Sequence, residues 1–94
     1  MSVVIAGYAR TPFTKMNGAL STIPAVTLGA HAIKAALAKA GVLPEHVNAV
    51  IGGQVLQAGC GQNPARQSAV AAGIPLSSPA LTVNAVCLSG IEAV

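Results

Sequence analysis

A chain of 94 residues has room for one domain of modest size, and this one carries unusually little charge: Asp, Glu, Lys and Arg make up 7% of it, against about 25% in ordinary soluble domains. Its net charge of +3 rests on five scattered bases, and Tyr8 and Phe13 are its only aromatics, so it lacks both the basic stripe and the stacking platform of a nucleic-acid binder. No apolar run approaches the roughly eighteen residues that a membrane span needs.

Hydrophobic types reach 53%, mostly Ala, Val, Leu and Ile, which suit close packing of helices on a sheet. A free-standing domain this small leaves a large share of its residues at the surface. Too few charged groups are present to coat one. The expectation is a portion of something larger, covered by further chain, by partner subunits or by both.

In chain order, Val3 to Ala6 is a short apolar run closed by Gly7, which predicts a buried strand. No basic residue precedes that run, so it makes a poor secretory signal. Pro12 removes a backbone donor and holds Thr11 extended. From Thr14 to Thr22 small and polar residues with an Asn17-Gly18 turn signal predict a loop. A helix follows: Val26, Ala30, Ile33, Leu37 and Ala40 recur at three- and four-residue spacing, while Thr27, His31, Lys34 and Ala38 line another face. Gly29, Ala32 and Ala36 add a small-residue stripe that permits close approach. Pro24 suits the first turn, and Gly41 is placed to end the helix in a left-handed conformation.

Leu43 to His46 predicts a turn into a second strand, Ala49 to Gly52, with a continuation through Val55 and Leu56. The run Gly59-Cys60-Gly61-Gln62-Asn63-Pro64 imitates a dinucleotide fingerprint, but Pro64 replaces the third glycine and no acidic residue follows about twenty positions on. Asn63 instead reads as the cap of a helix from Pro64 to Ala72, stopped by Gly73 with Pro75 beyond. Arg66 on that helix reads as an ion-pairing or interface residue. The third strand, Ala80 to Val86, runs into Cys87, after which the pattern turns helical again.

Strand, helix, strand, helix, strand and the start of a helix make an α/β chain with a parallel or mostly parallel sheet. Ligand sites in such sheets lie at the carboxyl ends of strands, and Cys87 falls at one. A thiol at a strand-to-helix corner has unpaired N–H groups close by, which favours its use as a nucleophile, in a geometry similar to the nucleophile elbow of hydrolases. Gly90 leaves room beside the turn, and Ser89 offers a hydroxyl. Cys60 and Cys87 form neither a disulfide framework nor a metal site, and read as reduced thiols of a cytosolic protein. His31 and His46 have no partner at telling spacing, and no catalytic role is assigned to them.

Four stretches then carry a resemblance to the thiolase family, the acetyl-CoA acetyltransferases: YARTPF at Tyr8 to Phe13, GGQVLQAG at Gly52 to Gly59, GQNPARQSA at Gly61 to Ala69, and NAVCLSGIEAV at Asn84 to Val94. They occur in the family's order and spacing across essentially the whole chain. The resemblance implies a βαβαβ portion of the amino-terminal half of a thiolase-like five-layered fold. Residues 1–94 would be a partial amino-terminal domain, without the loop region and the carboxyl-terminal half. It implies that Cys87 is the nucleophile that takes up the acyl group. The activating histidine and the second, acid–base cysteine belong to the other half, and neither His31, His46 nor Cys60 matches their motifs. Leu88 and Glu92 depart from the Gly or Ala and the Lys often found around the nucleophile.

Acetyl-CoA or a 3-ketoacyl-CoA is the implied substrate, with no cofactor beyond these thioesters, no metal, no nucleic acid and no membrane. A homodimer or homotetramer in the cytoplasm is the implied assembly, and fatty acid metabolism the implied setting. Three other readings stand beside this one. The chain could be a non-catalytic assembly module derived from the fold, part of a ketoacyl synthase, or a thiol redox protein using Cys60 and Cys87. The last conflicts with their wide separation in sequence.

Overall fold

The computed structural model describes residues 1–94. Its elements in order are helix α1 (Ala25–Ala40), a single 3₁₀ turn (Pro44–His46), strand β1 (Val50–Gly53), helix α2 (Pro64–Ala71), strand β2 (Ala80–Val83) and helix α3 (Ser89–Ala93).

Helix α1 stops as its sequence predicts. Gly41 adopts φ 68°, its N–H donates to the Ala38 carbonyl, and the Val42 N–H reaches back to Leu37 at 3.0 Å. Those two bonds make a Schellman motif, which satisfies carbonyls that the helix end would otherwise leave bare. Pro24 stands one residue outside the helix, as its N-cap. Helix α2 begins as expected with Pro64 at its first position, and the Asn63 side chain accepts from the Arg66 N–H at 3.2 Å. Gly73, at φ 91°, terminates it.

The two helices meet through small residues. The buried apolar core is Ala30, Ala65, Ala69, Ala72 and Ile74, and Ser68 donates across the contact to the Val26 carbonyl at 3.0 Å. A Cβ on Gly29 would lie 2.7 Å from the Ser68 hydroxyl oxygen, so this close contact requires a glycine in α1.

Strands β1 and β2 pair in parallel, with Val50 opposite Ala80, Ile51 opposite Leu81, Gly52 opposite Thr82 and Gly53 opposite Val83. Successive strand residues face opposite sides, and the two glycines use this. A Cβ on Gly52 would stand 2.9 Å from the Ala65 Cβ of α2, whereas one on Gly53 would collide with the Ser89 carbonyl and stand 2.9 Å from the Gly90 nitrogen of α3. Helix α2 therefore covers one face of the sheet and α3 the other.

Three expectations need correction. Val3 to Ala6 is not a buried strand: Val3 is 98% and Ile5 80% exposed, and no backbone hydrogen bond joins residues 1–14 to the sheet. An isolated extended segment gains nothing without a ladder partner. What holds the segment just beyond it is α1, against which Gly7 packs at Ala36 and Ala40, with Lys39 Nζ 5.7 Å from the Tyr8 ring. Strand β1 does not continue through Val55 and Leu56, because the Gln54 and Gln57 side-chain amides take the Leu56 and Gln54 carbonyls and turn the chain. Strand β2 ends at Val83 rather than Val86, because the Asn84 side chain accepts from the Val86 N–H at 2.9 Å. A local bond of this kind competes with the ladder and starts a turn.

The surface tests the reading of the composition. A self-contained protein of 9.2 kDa exposes about 4,900 Å², while this chain exposes 6778 Å². Ile51 and Leu81, opposite each other on the α3 side of the sheet, are 50% and 56% exposed. The five residues of α3 are too few to cover them.

Candidate active site at the Cys87 corner

The corner is built by residues 84–89. After β2, Asn84 bridges two parts of the chain: its Oδ1 accepts from the Val86 N–H, and its Nδ2 donates to the Val55 carbonyl at 3.1 Å. Ser89 closes the turn from the other side. Its buried hydroxyl accepts from the Ala85 N–H at 2.9 Å and donates to the Val86 carbonyl at 2.6 Å. The Leu88 and Ser89 N–H groups donate to the carbonyls of Ala85 and Val86.

These bonds enclose an unfavourable residue. Val86 has φ 53°, a left-handed value that a β-branched side chain resists and that costs about 1–2 kcal/mol. Its side chain is 63% exposed, so packing does not explain the conformation. Sharp, strained strand-to-helix turns of this kind present a nucleophile to the outside. Cys87 is the next residue, and its thiol is free and exposed. Its N–H makes no hydrogen bond within the chain. Helix α3 starts only at Ser89, so Cys87 lies on the turn rather than in the helix. At Gly90 nothing in the chain comes within 4 Å of where a Cβ would stand, which leaves open space beside the corner.

The other sequence candidates lie on other segments of the chain. Cys60 is half-buried in the loop after β1, where its sulfur accepts from Gln54 Nε2 at 3.3 Å. His31 is exposed on α1, beside Thr11, Pro12 and Thr27, and His46 is exposed in the 3₁₀ turn. No three His, Cys, Asp or Glu side chains gather to hold a metal. Arg66, read as an ion-pairing or interface residue, donates to the Ser78 carbonyl, and its Nη1 is buried without a partner.

The glycine-rich run before α2 does not bind a dinucleotide in this geometry. Gln67 Nε2 donates to the Cys60 and Gln62 carbonyls, both at 2.8 Å, and occupies the space beside Gly61. The first N–H groups of α2 are taken as well: Ala65 donates to Thr82 Oγ1 at 3.0 Å, Arg66 to Asn63 Oδ1, and Gln67 to the Asn63 carbonyl. A phosphate would have to displace all of them. A cleft of about 370 Å³ lies between α1, β1 and α2, lined by Gly29, Ile33, Gly52 and Ser68 among others. Cys87 does not line it.

Sequence reasoning singled out Cys87 and the Ser89 hydroxyl but not the roles of Asn84 and Gly53 in building the corner. Asn84 carried a usable signal, since Asn two residues before a chain reversal is a turn former. Gly53 carried none, because the contact that requires it comes from residues 36 and 37 positions further along.

Comparison with known proteins agrees with this architecture. The family model described as "Thiolase, N-terminal domain" matches residues 3–94. An acetyl-CoA acetyltransferase of Cupriavidus necator is 60% identical over 92 residues, which cover 98% of this chain and 23% of that protein. A cytosolic acetyl-CoA acetyltransferase of Rattus norvegicus is 54% identical over 92 residues, covering 98% and 23%. The crystal structure of a thiolase from Ascaris suum in complex with coenzyme A superposes with a TM-score of 0.93 at 38% identity, covering 95% of this chain and 23% of that one. The fold is thus the α/β fold of a thiolase amino-terminal region. The chain belongs to the thiolase family and spans about a quarter of the length of these relatives.

Proposed function

We propose that this chain supplies the acyl-accepting nucleophile of a thiolase-type acyltransferase, and that Cys87 is that nucleophile. The observation that carries the reading is a free, exposed thiol one residue beyond a strained Val86, at the carboxyl end of a parallel strand.

The Cys87 thiolate attacks the carbonyl carbon of an acyl-CoA thioester. A new carbon–sulfur bond forms, the bond to the coenzyme A sulfur breaks, and coenzyme A leaves as a thiolate that takes up a proton. The Cys87 N–H, uncommitted within the chain, is the donor proposed for the developing oxyanion. In the condensing direction the α-carbon of a second acetyl-CoA, after losing a proton, attacks the acyl-cysteine carbonyl. Acetoacetyl-CoA forms and the Cys87 thiolate is released. Thiolysis of a 3-ketoacyl-CoA is the same sequence reversed. The base and the acid for these steps are assigned to other parts of the protein: the Cys60 sulfur is engaged by Gln54 Nε2, and His31 and His46 lie on α1 and in the 3₁₀ turn.

The partial-domain reading, a homodimer or homotetramer as the working assembly, and the cytoplasm as its location belong to the same proposal. The 6778 Å² of surface and the two unpaired thiols support them. No helix is long and apolar enough to cross a membrane. Cell fractionation that finds the protein inside an organelle would contradict the location.

The test of function is kinetic. Acetoacetyl-CoA synthesis by the intact protein is expected to follow ping-pong kinetics. Cys87→Ser is expected to lower kcat by at least about a thousand-fold, and Cys60→Ser to keep most of the activity. Equal losses in both variants would instead indicate a dithiol mechanism.

A further inference from the structure

We infer that Ser89 is a positioning residue for Cys87, acting with Asn84 to hold Val86 in its left-handed conformation. The inference rests on the acyl-transfer reading of Cys87 and names the device that aims the sulfur.

Two features single out Ser89. It is 4% exposed, one of the nine buried residues of the chain and, with Ala72, Ile74 and Ser78, one of four that lie outside α1 and α2. Its hydroxyl also joins the two backbone groups that bracket the turn, accepting from the Ala85 N–H and donating to the Val86 carbonyl. Both lone-pair and proton capacity are used on the corner itself, with Asn84 Oδ1 at 3.5 Å on the same side.

Asn84 adds the bond to the Val86 N–H. Residue 86 is thereby held by side chains at both its N–H and its carbonyl, one in each of the two peptide groups that flank it. A valine left to its own preference returns to negative φ, and rotating residue 86 re-aims everything after it, beginning with Cys87. Ser89 reaches no reacting atom in this account. It acts through the backbone.

If that is its role, the need for Ser89 depends on which residue stands at position 86. Glycine enters positive φ without the steric penalty of valine, and the exposed Val86 side chain gives up little packing. Glycine at 86 is therefore expected to relieve the need for the clamp.

The experiment compares the intact parent protein, Ser89→Ala, Val86→Gly and the double variant. It measures single-turnover acetylation of Cys87 from acetyl-CoA, the KM for acetyl-CoA, and the rate of Cys87 alkylation by iodoacetamide. Ser89→Ala is expected to acetylate about ten-fold more slowly, the factor given by the net loss of one buried hydrogen bond, with KM unchanged. Adding Val86→Gly is expected to restore most of that rate, a coupling that general damage to packing does not produce. A double variant as slow as Ser89→Ala, or a Ser89→Ala variant as fast as the parent, overturns the inference. If the parent takes no acetyl group, the acyl-transfer reading fails, and the iodoacetamide rates decide the positioning role by the same order of variants. Should Ser89→Ala not fold, Asn84→Ala, at an exposed position, carries the same comparison with Val86→Gly.

Discussion

Asn63 shows how one side chain ties the local geometry of this chain to its long-range order. It sits at φ 46°, accepts from the Arg66 N–H and from the Thr82 hydroxyl at 2.7 Å, and donates to the Ala80 carbonyl at 3.1 Å. It thus caps α2 and pins that helix to β2, the strand that leads to Cys87. Asn63→Gly keeps the backbone conformation and loses the side-chain bonds, whereas Asn63→Ala loses both. We expect thermal stability of the intact protein to fall in the order Asn, Gly, Ala, with Asn63→Ala costing about 1–3 kcal/mol. Equal melting temperatures for the glycine and alanine variants would mean that the backbone conformation carries no cost. The cap itself was legible, because Asn followed by Pro before a helical pattern has few other readings. The bonds to Ala80 and Thr82 were not, since they join residues 17 and 19 positions apart.

At the level of elements, the packing of α3 on β1 depends on a missing side chain. Gly53 lets the backbone at Ser89 and Gly90 rest on the strand, and this contact sets the distance between the corner and the sheet. Gly53→Ala must push α3 away or break the β1–β2 register. Its expected cost is about 1–3 kcal/mol, together with slower acetylation of Cys87. An alanine variant with unchanged melting temperature and acetylation would show that α3 is not seated on β1 in this way. Helix ends were read well from sequence because Gly41, Asn63, Pro64 and Gly73 act locally. Strand ends were read badly: Asn84 and Gln54 stop their strands by side-chain bonds that periodicity does not register. The apolar pattern of Val3 to Ala6 predicts a strand that does not form, because such a pattern contains nothing about whether a ladder partner is within reach. Val86 is the sharpest case, since a β-branched residue in an apolar run argues for an extended strand and here occupies a left-handed turn.

As a whole molecule, the chain combines a small alanine core with far more surface than its mass calls for. Roughly 1,900 Å² separates the observed surface from that of a self-contained protein of this size, more than twice the roughly 800 Å² that each partner buries in a standard protein–protein interface. The low charge that first pointed to a covered chain and the exposed Ile51, Leu81 and Ile91 are two views of this property. The chemical act proposed for these residues is the capture of an acyl group by Cys87, with proton transfer left to groups elsewhere. The most direct test is intact-mass spectrometry of the intact protein after brief incubation with acetyl-CoA, with peptide mapping of any adduct. A single acetyl group on Cys87, absent from Cys87→Ser, is the expected result. An acetyl group on Cys60, or no adduct while Cys87 still reacts with iodoacetamide, would contradict it.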